Sequence, residues 1–454
     1  MSEAAQTYDR ASNEAMLKDL VARILREAKV QGASSAEVSA SLDSGLSVAV
    51  RRSEIETVEY THERGFGITV YRQTADGVAK GSASTADDRD ESIAETVRAA
   101  CNIAKYTQSD PCSGLADPEL MASEFPDLDL LHPWQPEVVE AEQLARTCEE
   151  AAVGFDSRIS NTEGAQVNAH VGSRVYGNSH GFIGAVSGSR QGLSCMVIGQ
   201  DNSGMQRDYW YSSARRVDKL EDAVEVGRKA AQRTVDRLGS RPIKTGSYPV
   251  LLAPNLAIGL MGSVLSAISG GSLYRKSSFL LDSIGKEVMS PHLSLGEFPY
   301  IRGAMGSAAF DGDGVTTREQ AFIDRGVVAS YILGSYSARR LKMRTTGNSG
   351  GVHNLHVEGR TASFEDLLGE LGTGLYVTEL MGQGVNLLTG DYSRGAAGFW
   401  VENGEIKHPV EEVTIAGTLQ SMLHQIVALG DDVDLRGNIR CGSLLLKEMT
   451  VAAA

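Results

Sequence analysis

At 454 residues, with 42% hydrophobic side chains, the chain is long enough for two or three domains and a sizeable core. A formal net charge of −15 and a pI near 5.2 argue against a nucleic-acid binder, because phosphate contacts demand clustered Lys and Arg that this sequence nowhere concentrates. No run approaches the roughly 18 uninterrupted apolar residues of a membrane span, and the first ten residues are polar without a signal-peptide core, so a cytoplasmic protein with no membrane contact is expected.

The basic pairs Arg51-Arg52, Arg215-Arg216 and Arg339-Arg340 are isolated and read as solvated charges or simple ion pairs. Five cysteines, Cys101, Cys112, Cys148, Cys195 and Cys441, are odd in number, far apart and without a C-x-x-C pair. Free, mostly buried thiols in a reducing compartment fit that pattern.

In chain order, Leu17, Leu20, Val21, Ile24, Leu25 and Ala28 recur at three- and four-residue steps, so an amphipathic helix is predicted over 13–31 with Gly32 ending it. Alternating stretches at 37–42, 46–51, 55–60, 67–71 and 79–84 predict an antiparallel meander, since the connections are too short for parallel crossovers. A helix follows over 90–104. Residues 106–134, rich in Pro, Asp and Ser, read as a linker or long surface loop. Beyond it come a helix at 137–153, a second run of strands at 160–212 and a helix at 220–238. Meander-then-helix occurs twice, which leaves an internal duplication open.

The character changes after 239–245, giving an N-terminal α+β domain over 13–239, with a sub-boundary near 106–134, and a β-rich C-terminal domain over 245–454. In the second, a strand at 249–253 runs into the almost uncharged segment 255–269, a helix buried on most sides at the domain's centre. Further on, 390–417 reads as an ordered loop feeding a hairpin. Gly395, Ala396, Ala397 and Gly398 allow close backbone approach, Phe399 and Trp400 anchor, and Asn403-Gly404 is a two-residue hairpin signal.

No zinc-peptidase H-E-x-x-H or H-E-x-x-x-H occurs; His62-Glu63 begins one, but inside a predicted strand and without a second histidine. His353 and His356 form the only close histidine pair, flanking Asn354. In a strand their rings point to opposite faces, which makes a poor metal site and leaves packing, surface or peptide-contact roles. Asp311-Gly312-Asp313-Gly314 lacks the remaining calcium-loop ligands and reads as a tight turn. Ser179 and Ser349 each sit in G-x-S-x-G, but neither has the strand before and helix after that a nucleophile elbow needs. No phosphate-binding glycine loop is present.

The segments 53–59 (SEIETVE), 67–71 (GITVY), 80–85 (KGSAST), 205–210 (MQRDYW) and 390–417, in this order along nearly the whole chain, resemble the TldD/PmbA family, specifically its PmbA (TldE) branch, also called modulator of DNA gyrase. The resemblance implies a two-domain fold and a cytoplasmic heterodimeric metallopeptidase acting on unfolded peptides, with zinc in the TldD-like partner and none in this chain. In the TldD branch the buried helix carries H-E-x-x-x-H, and a later cysteine completes the site. The matching positions here read approximately Met261, Gly262 and Ser266, and Cys441 has no histidine partners. A thioether binds zinc weakly, glycine offers no base and a neutral hydroxyl rarely ligates this metal. The expectation is a non-catalytic subunit, inactive alone and active with a TldD-like partner, or a homodimer in that partner's absence. His353, Asn354, His356, Gly395 and Phe399 are candidate substrate-binding residues beside an added peptide strand. A regulatory adaptor without a protease partner, and an autonomous serine hydrolase using Ser179 or Ser349, are the alternatives.

Overall fold

The computed structural model describes residues 8–453; the polar start, 1–7, lies outside them. The N-terminal half runs α1 (Arg10–Val30), β1 (Ser35–Arg51), β2 (Glu54–Thr74), β3 (Gly77–Thr85), α2 (Asp90–Tyr106), α3 (Val138–Val153), β4 (Ile159–Asn178), β5 (Ile183–Asp201), β6 (Gly204–Ala214) and α4 (Ala223–Asp236). Each three-strand meander is flanked by two helices, and the two merge through β1 and β4 into one antiparallel sheet of order β3-β2-β1-β4-β5-β6.

Five short strands were expected before α2, and three long ones form. Gly45 does not turn the chain. It sits within β1 opposite His170, where the ring and the Ala169 carbonyl leave no room for a Cβ. Likewise Gly65 and Gly67 lie within β2. Leu17, Leu20, Val21, Ile24 and Ala28 of α1 bury against Val38, Ala40, Ile68 and Val70, while α3 and α4 cover Val48, Val50, Val167 and Val197. Gly227 lets α4 touch α3, since a Cβ there would collide with the Cys148 carbonyl.

The C-terminal half contains β7 (Gly246–Leu252), α5 (Pro254–Ala267), α6 (Gly270–Tyr274), β8 (Ser294–Glu297), β9 (Gln320–Asp324), β10 (Val327–Val328), α7 (Ser335–Leu341), β11 (Leu355–Glu358) and β12 (Thr361–Ala362). It continues with α8 (Phe364–Leu371), β13 (Gly374–Met381), β14 (Asp391–Glu402), β15 (Glu405–Thr418), α9 (Leu419–His424), β16 (Ile426–Gly430), β17 (Ile439–Arg440) and β18 (Leu444–Ala453). Strands β7, β13, β14, β15 and β18 close into a barrel because β18 pairs with both β15 and β7. A second sheet runs β10-β9-β8-β11-β17.

Residues 390–398, expected as a loop, are mostly strand β14. Gly398 faces the Tyr376 carbonyl so closely that any side chain would clash, so the small residues serve strand packing. The hairpin turn forms as expected, with Asn403 and Gly404 at φ 54° and 78°.

The halves are tied together at several points. Arg215 donates to the carbonyls of Ala304 (3.1 Å) and Met305 (2.9 Å), and Arg339 donates to Gly114 and Leu115 and pairs with Asp117. Both arginines are half-buried; Arg216, Arg339 and Arg340 form the simple ion pairs expected, with Asp218, Asp117 and Asp110, and what the expectation lacked is the set of carbonyls that converges on the Arg215 and Arg339 guanidinium groups. Arg436 stacks on Trp210 and Tyr211 at 4.6 and 4.1 Å. The segment before α3 also bridges the halves, with Phe125 stacked on Phe182 and edge-on to Phe310.

Candidate functional site

Helix α5 begins with Pro254 in its first turn and buries Ala257, Leu260, Met261, Val264, Leu265 and Ala267 against the inward residues of the barrel. Its remaining stripe is open: Asn255, Gly259 and Ser266 are exposed, Gly262 and Ser263 half-buried. A Cβ at Gly259 or Gly262 would meet nothing within 4 Å. The hydroxyls of Ser263 and Ser266 bond back to the carbonyls of Gly259 (3.2 Å) and Gly262 (2.8 Å).

Met261 is fully buried, whereas Ser266 faces outward, so their side chains leave the helix on different sides. Cys441 is also fully buried, its thiol within 3.3 Å of the Gly442 carbonyl and its pKa pushed up to about 12 by burial. A buried thioether, a glycine, a back-bonded hydroxyl and a neutral thiol do not suit zinc. Among the described residues, no three His, Cys, Asp or Glu side chains gather so as to hold a metal ion.

Beyond α5, the Tyr274 ring is capped by Arg275 at 5.2 Å and Arg340 at 5.4 Å and meets Tyr336 edge-on at 5.7 Å. Lys80 lies over Tyr336 at 5.9 Å, and the Tyr336 hydroxyl donates to Asp110 at 2.7 Å. This cation-aromatic group comes from both halves of the chain. Tyr274 and Arg275 are adjacent and Tyr336 and Arg340 one helical turn apart, but the three parts of the group, Lys80 included, lie too far apart in the sequence to be read as one.

The expected substrate-binding residues are divided between the two sheets of the C-terminal half. His353 and Asn354 precede β11 and His356 lies in it, while Gly395 and Phe399 lie in β14 of the other sheet. His353 donates from its backbone to Glu297 at 2.6 Å, with its ring Nδ1 2.9 Å from the same carboxylate. Glu297, only 1% exposed, also accepts from Asn348 (2.8 Å) and Gln320 (2.7 Å). Asn354 is fully buried: it donates to the Phe298 carbonyl and the Ser307 hydroxyl and accepts from the Gly306 amide. Both amide donors of Asn354 are thus spent inside the protein, which gives this side chain a structural role in holding the loops around Phe298 and Gly306. The His356 ring packs on Phe298 at 4.7 Å, and burial lowers its pKa. Phe399 stacks on Tyr376 at 6.1 Å.

Ser179 caps the start of β1 by accepting from the Ala36 amide, and Ser349 donates to Asp313 at 2.7 Å. Asp311 accepts the amides of Asp313, Val315 and Ser349, which makes 311–314 the tight turn expected. Sequence reasoning missed what surrounds this turn. Burial, with Asp313 adjacent, pushes the Asp311 pKa up to about 6. Across the domain boundary Glu37 accepts from the Tyr71 and Tyr176 hydroxyls at 2.7 and 2.8 Å. Its pKa is raised by burial and by Asp313, against the lowering effect of the two tyrosines.

Comparison with known proteins places this architecture. Residues 36–104, 131–238 and 245–453 match, in turn, domain 1, the central domain and the C-terminal domain of the PmbA/TldA metallopeptidases. The chain is 49% identical to the Escherichia coli O157:H7 protein named metalloprotease PmbA, over 92% of each, and 46% identical to its Haemophilus influenzae homologue over 94% of each. It superposes on a Bacteroides thetaiotaomicron protein described as a modulator of DNA gyrase with a TM-score of 0.90 at 26% identity, covering 96% of this chain and 99% of that one. A Thermotoga maritima protein of the same description gives 0.85 at 26% identity, covering 96% and 100%. With all three domains matched in order and close relatives of nearly equal length, the chain belongs to the PmbA/TldD metallopeptidase family, on its PmbA branch.

Proposed function

We propose that this chain is the non-catalytic subunit of a cytoplasmic zinc peptidase that degrades or processes unfolded peptides, with the metal and the catalytic base supplied by a TldD-like partner. The observation that carries this reading is α5. Its open stripe offers only Asn, Gly and Ser, and Met261 points into the core. Neither a metal ligand nor a general base is available there.

In this reading the chain contributes chamber wall, and an extended peptide is held through backbone hydrogen bonds that select for unfolded substrates. The cation-aromatic group of Lys80, Arg275, Arg340, Tyr274 and Tyr336 supplies donors for peptide carbonyls and carboxylates. The test is reconstitution with a paralogue bearing H-E-x-x-x-H, followed by cleavage of an unfolded protein such as reduced, denatured casein. Cleavage only by the pair is expected. Cleavage by the zinc-treated single chain overturns the proposal.

A further inference from the structure

The fold gathers positive charge that the sequence keeps apart. Gly270 opens α6 where a Cβ would collide with Ser337 of α7, so the two short helices pack closely. Tyr274, one turn beyond Gly270, therefore meets Tyr336 edge-on at 5.7 Å, and Arg340, one turn beyond Tyr336, lies over the Tyr274 ring. Lys80 reaches the same group from the N-terminal sheet, where β3 sets it opposite Tyr71.

The cations Lys80, Arg275 and Arg340 are exposed, and the two rings among them are half-buried. Among the described residues neither Lys80 nor Arg275 forms an ion pair, and Arg340 has one carboxylate contact, Asp110 at 3.7 Å. Asp110 is already engaged by the Tyr336 hydroxyl and the Cys112 amide. Glu37, a second carboxylate in the field of Lys80, is largely enclosed, and burial raises its pKa. The group thus holds a surplus of positive charge on a chain whose net charge is −15. Cations that only brace a fold spend their donors on internal acceptors; here the rings hold the side chains while most of their N–H groups stay free.

The group adjoins the open stripe of α5 along the chain. The carbonyl of Ser266, the last member of that stripe, accepts from the Ser269 hydroxyl, and Ser269 caps α6 by accepting from the Ser272 amide. On a polypeptide, the groups that guanidinium and ammonium donors select are carboxylates. The positive charge is spread over two rings, wider than one carboxylate, whereas acidic side chains on one face of an extended strand recur about every 7 Å. A row of acidic side chains fits that spread better than a lone chain terminus.

We propose that Lys80, Arg275 and Arg340, set around Tyr274 and Tyr336, form a subsite for acidic side chains of the unfolded substrate, which makes acidic segments the preferred substrate class. This rests on the peptidase reading and adds a selectivity that reading leaves open.

Two fluorescent, unstructured peptides of equal length, with glutamate or glutamine at alternate positions and both ends blocked, test it. By anisotropy the single full-length chain is expected to bind the glutamate peptide more tightly than the glutamine one, with the difference fading as salt rises. Arg275→Gln and Lys80→Gln, at exposed side chains on opposite halves of the chain, are each expected to loosen the glutamate peptide roughly two- to five-fold. With a TldD-like partner present, each is expected to lower the ratio of kcat/KM for glutamate over glutamine peptide by a similar factor. Equal binding of the two peptides overturns the proposal, as does a preference that survives both substitutions. A glutamine peptide that matches the glutamate one once its C-terminal carboxylate is freed also overturns it. A complex that cleaves neither peptide, while the single chain still prefers glutamate through Arg275 and Lys80, refutes the peptidase reading and supports the subsite.

Discussion

Replacing Asp311 by Asn should change how stability depends on pH more than it changes stability itself. Asp311 is 3% exposed, and burial raises its pKa from 3.8 to about 6, with Asp313 adding to the effect. A carboxyl whose folded pKa lies above the unfolded one favours the fold while protonated. That advantage is complete below about pH 3.8 and is lost as pH rises through about 6. The gap corresponds to about 3 kcal/mol, of which about 2 kcal/mol is already regained at pH 4.5.

Asparagine cannot ionise, so this contribution vanishes. Its amide also turns a donor toward the Ser349 N–H that Asp311 accepted at 2.8 Å, which costs about 1–3 kcal/mol at every pH. At neutral pH the ionisation penalty that asparagine escapes offsets this loss, whereas in acid, where Asp311 is itself protonated, only the loss remains. Urea unfolding at pH 4.5 and 7.5, followed by tryptophan fluorescence, should show the variant close to wild type at 7.5 and clearly less stable at 4.5. Identical pH slopes for the two proteins would refute the reasoning.

Met261→Ala empties a fully buried site in the largest core and should cost about 2–5 kcal/mol, read from the urea midpoint of the C-terminal half. Glu297→Ala leaves the donors of His353, Asn348 and Gln320 without their shared acceptor, and calorimetry should show a loss of at least ~3 kcal/mol. Gly398→Ala forces a methyl against the Tyr376 carbonyl and should speed amide hydrogen exchange in β13 and β14 while leaving the N-terminal sheet protected.

Local patterns were legible in the sequence where the physics is local. The apolar steps of α1, the Asn403-Gly404 turn and the uncharged helix α5 each follow from a few consecutive residues. What failed was set by distant neighbours. Gly45 reads as a break until His170 occupies its missing side chain's place, and Gly395 to Gly398 read as a loop until β13 lies against them. Arg215 and Arg339 read as surface charges or simple ion pairs until carbonyls from the other half converge on them.

The candidate site divides in the same way. The residue types at Met261, Gly262 and Ser266 are readable directly, and so is their unsuitability for zinc. Glu297 carries no motif, and its partners arrive from as far as 56 positions away. Glu37 faces Asp313 only because the domains dock. Asn354 looks like a contact residue in the sequence, but its burial is a property of the loop around Gly306.

The most direct test of the account is to purify the chain alone and with a TldD-like paralogue, measuring zinc by plasma mass spectrometry and cleavage of reduced, denatured casein on the same samples. The account predicts no stoichiometric zinc and no cleavage for the single chain, and one zinc per pair with cleavage for the complex. Zinc-dependent cleavage by the single chain, abolished by a chelator and restored by the metal, would contradict it.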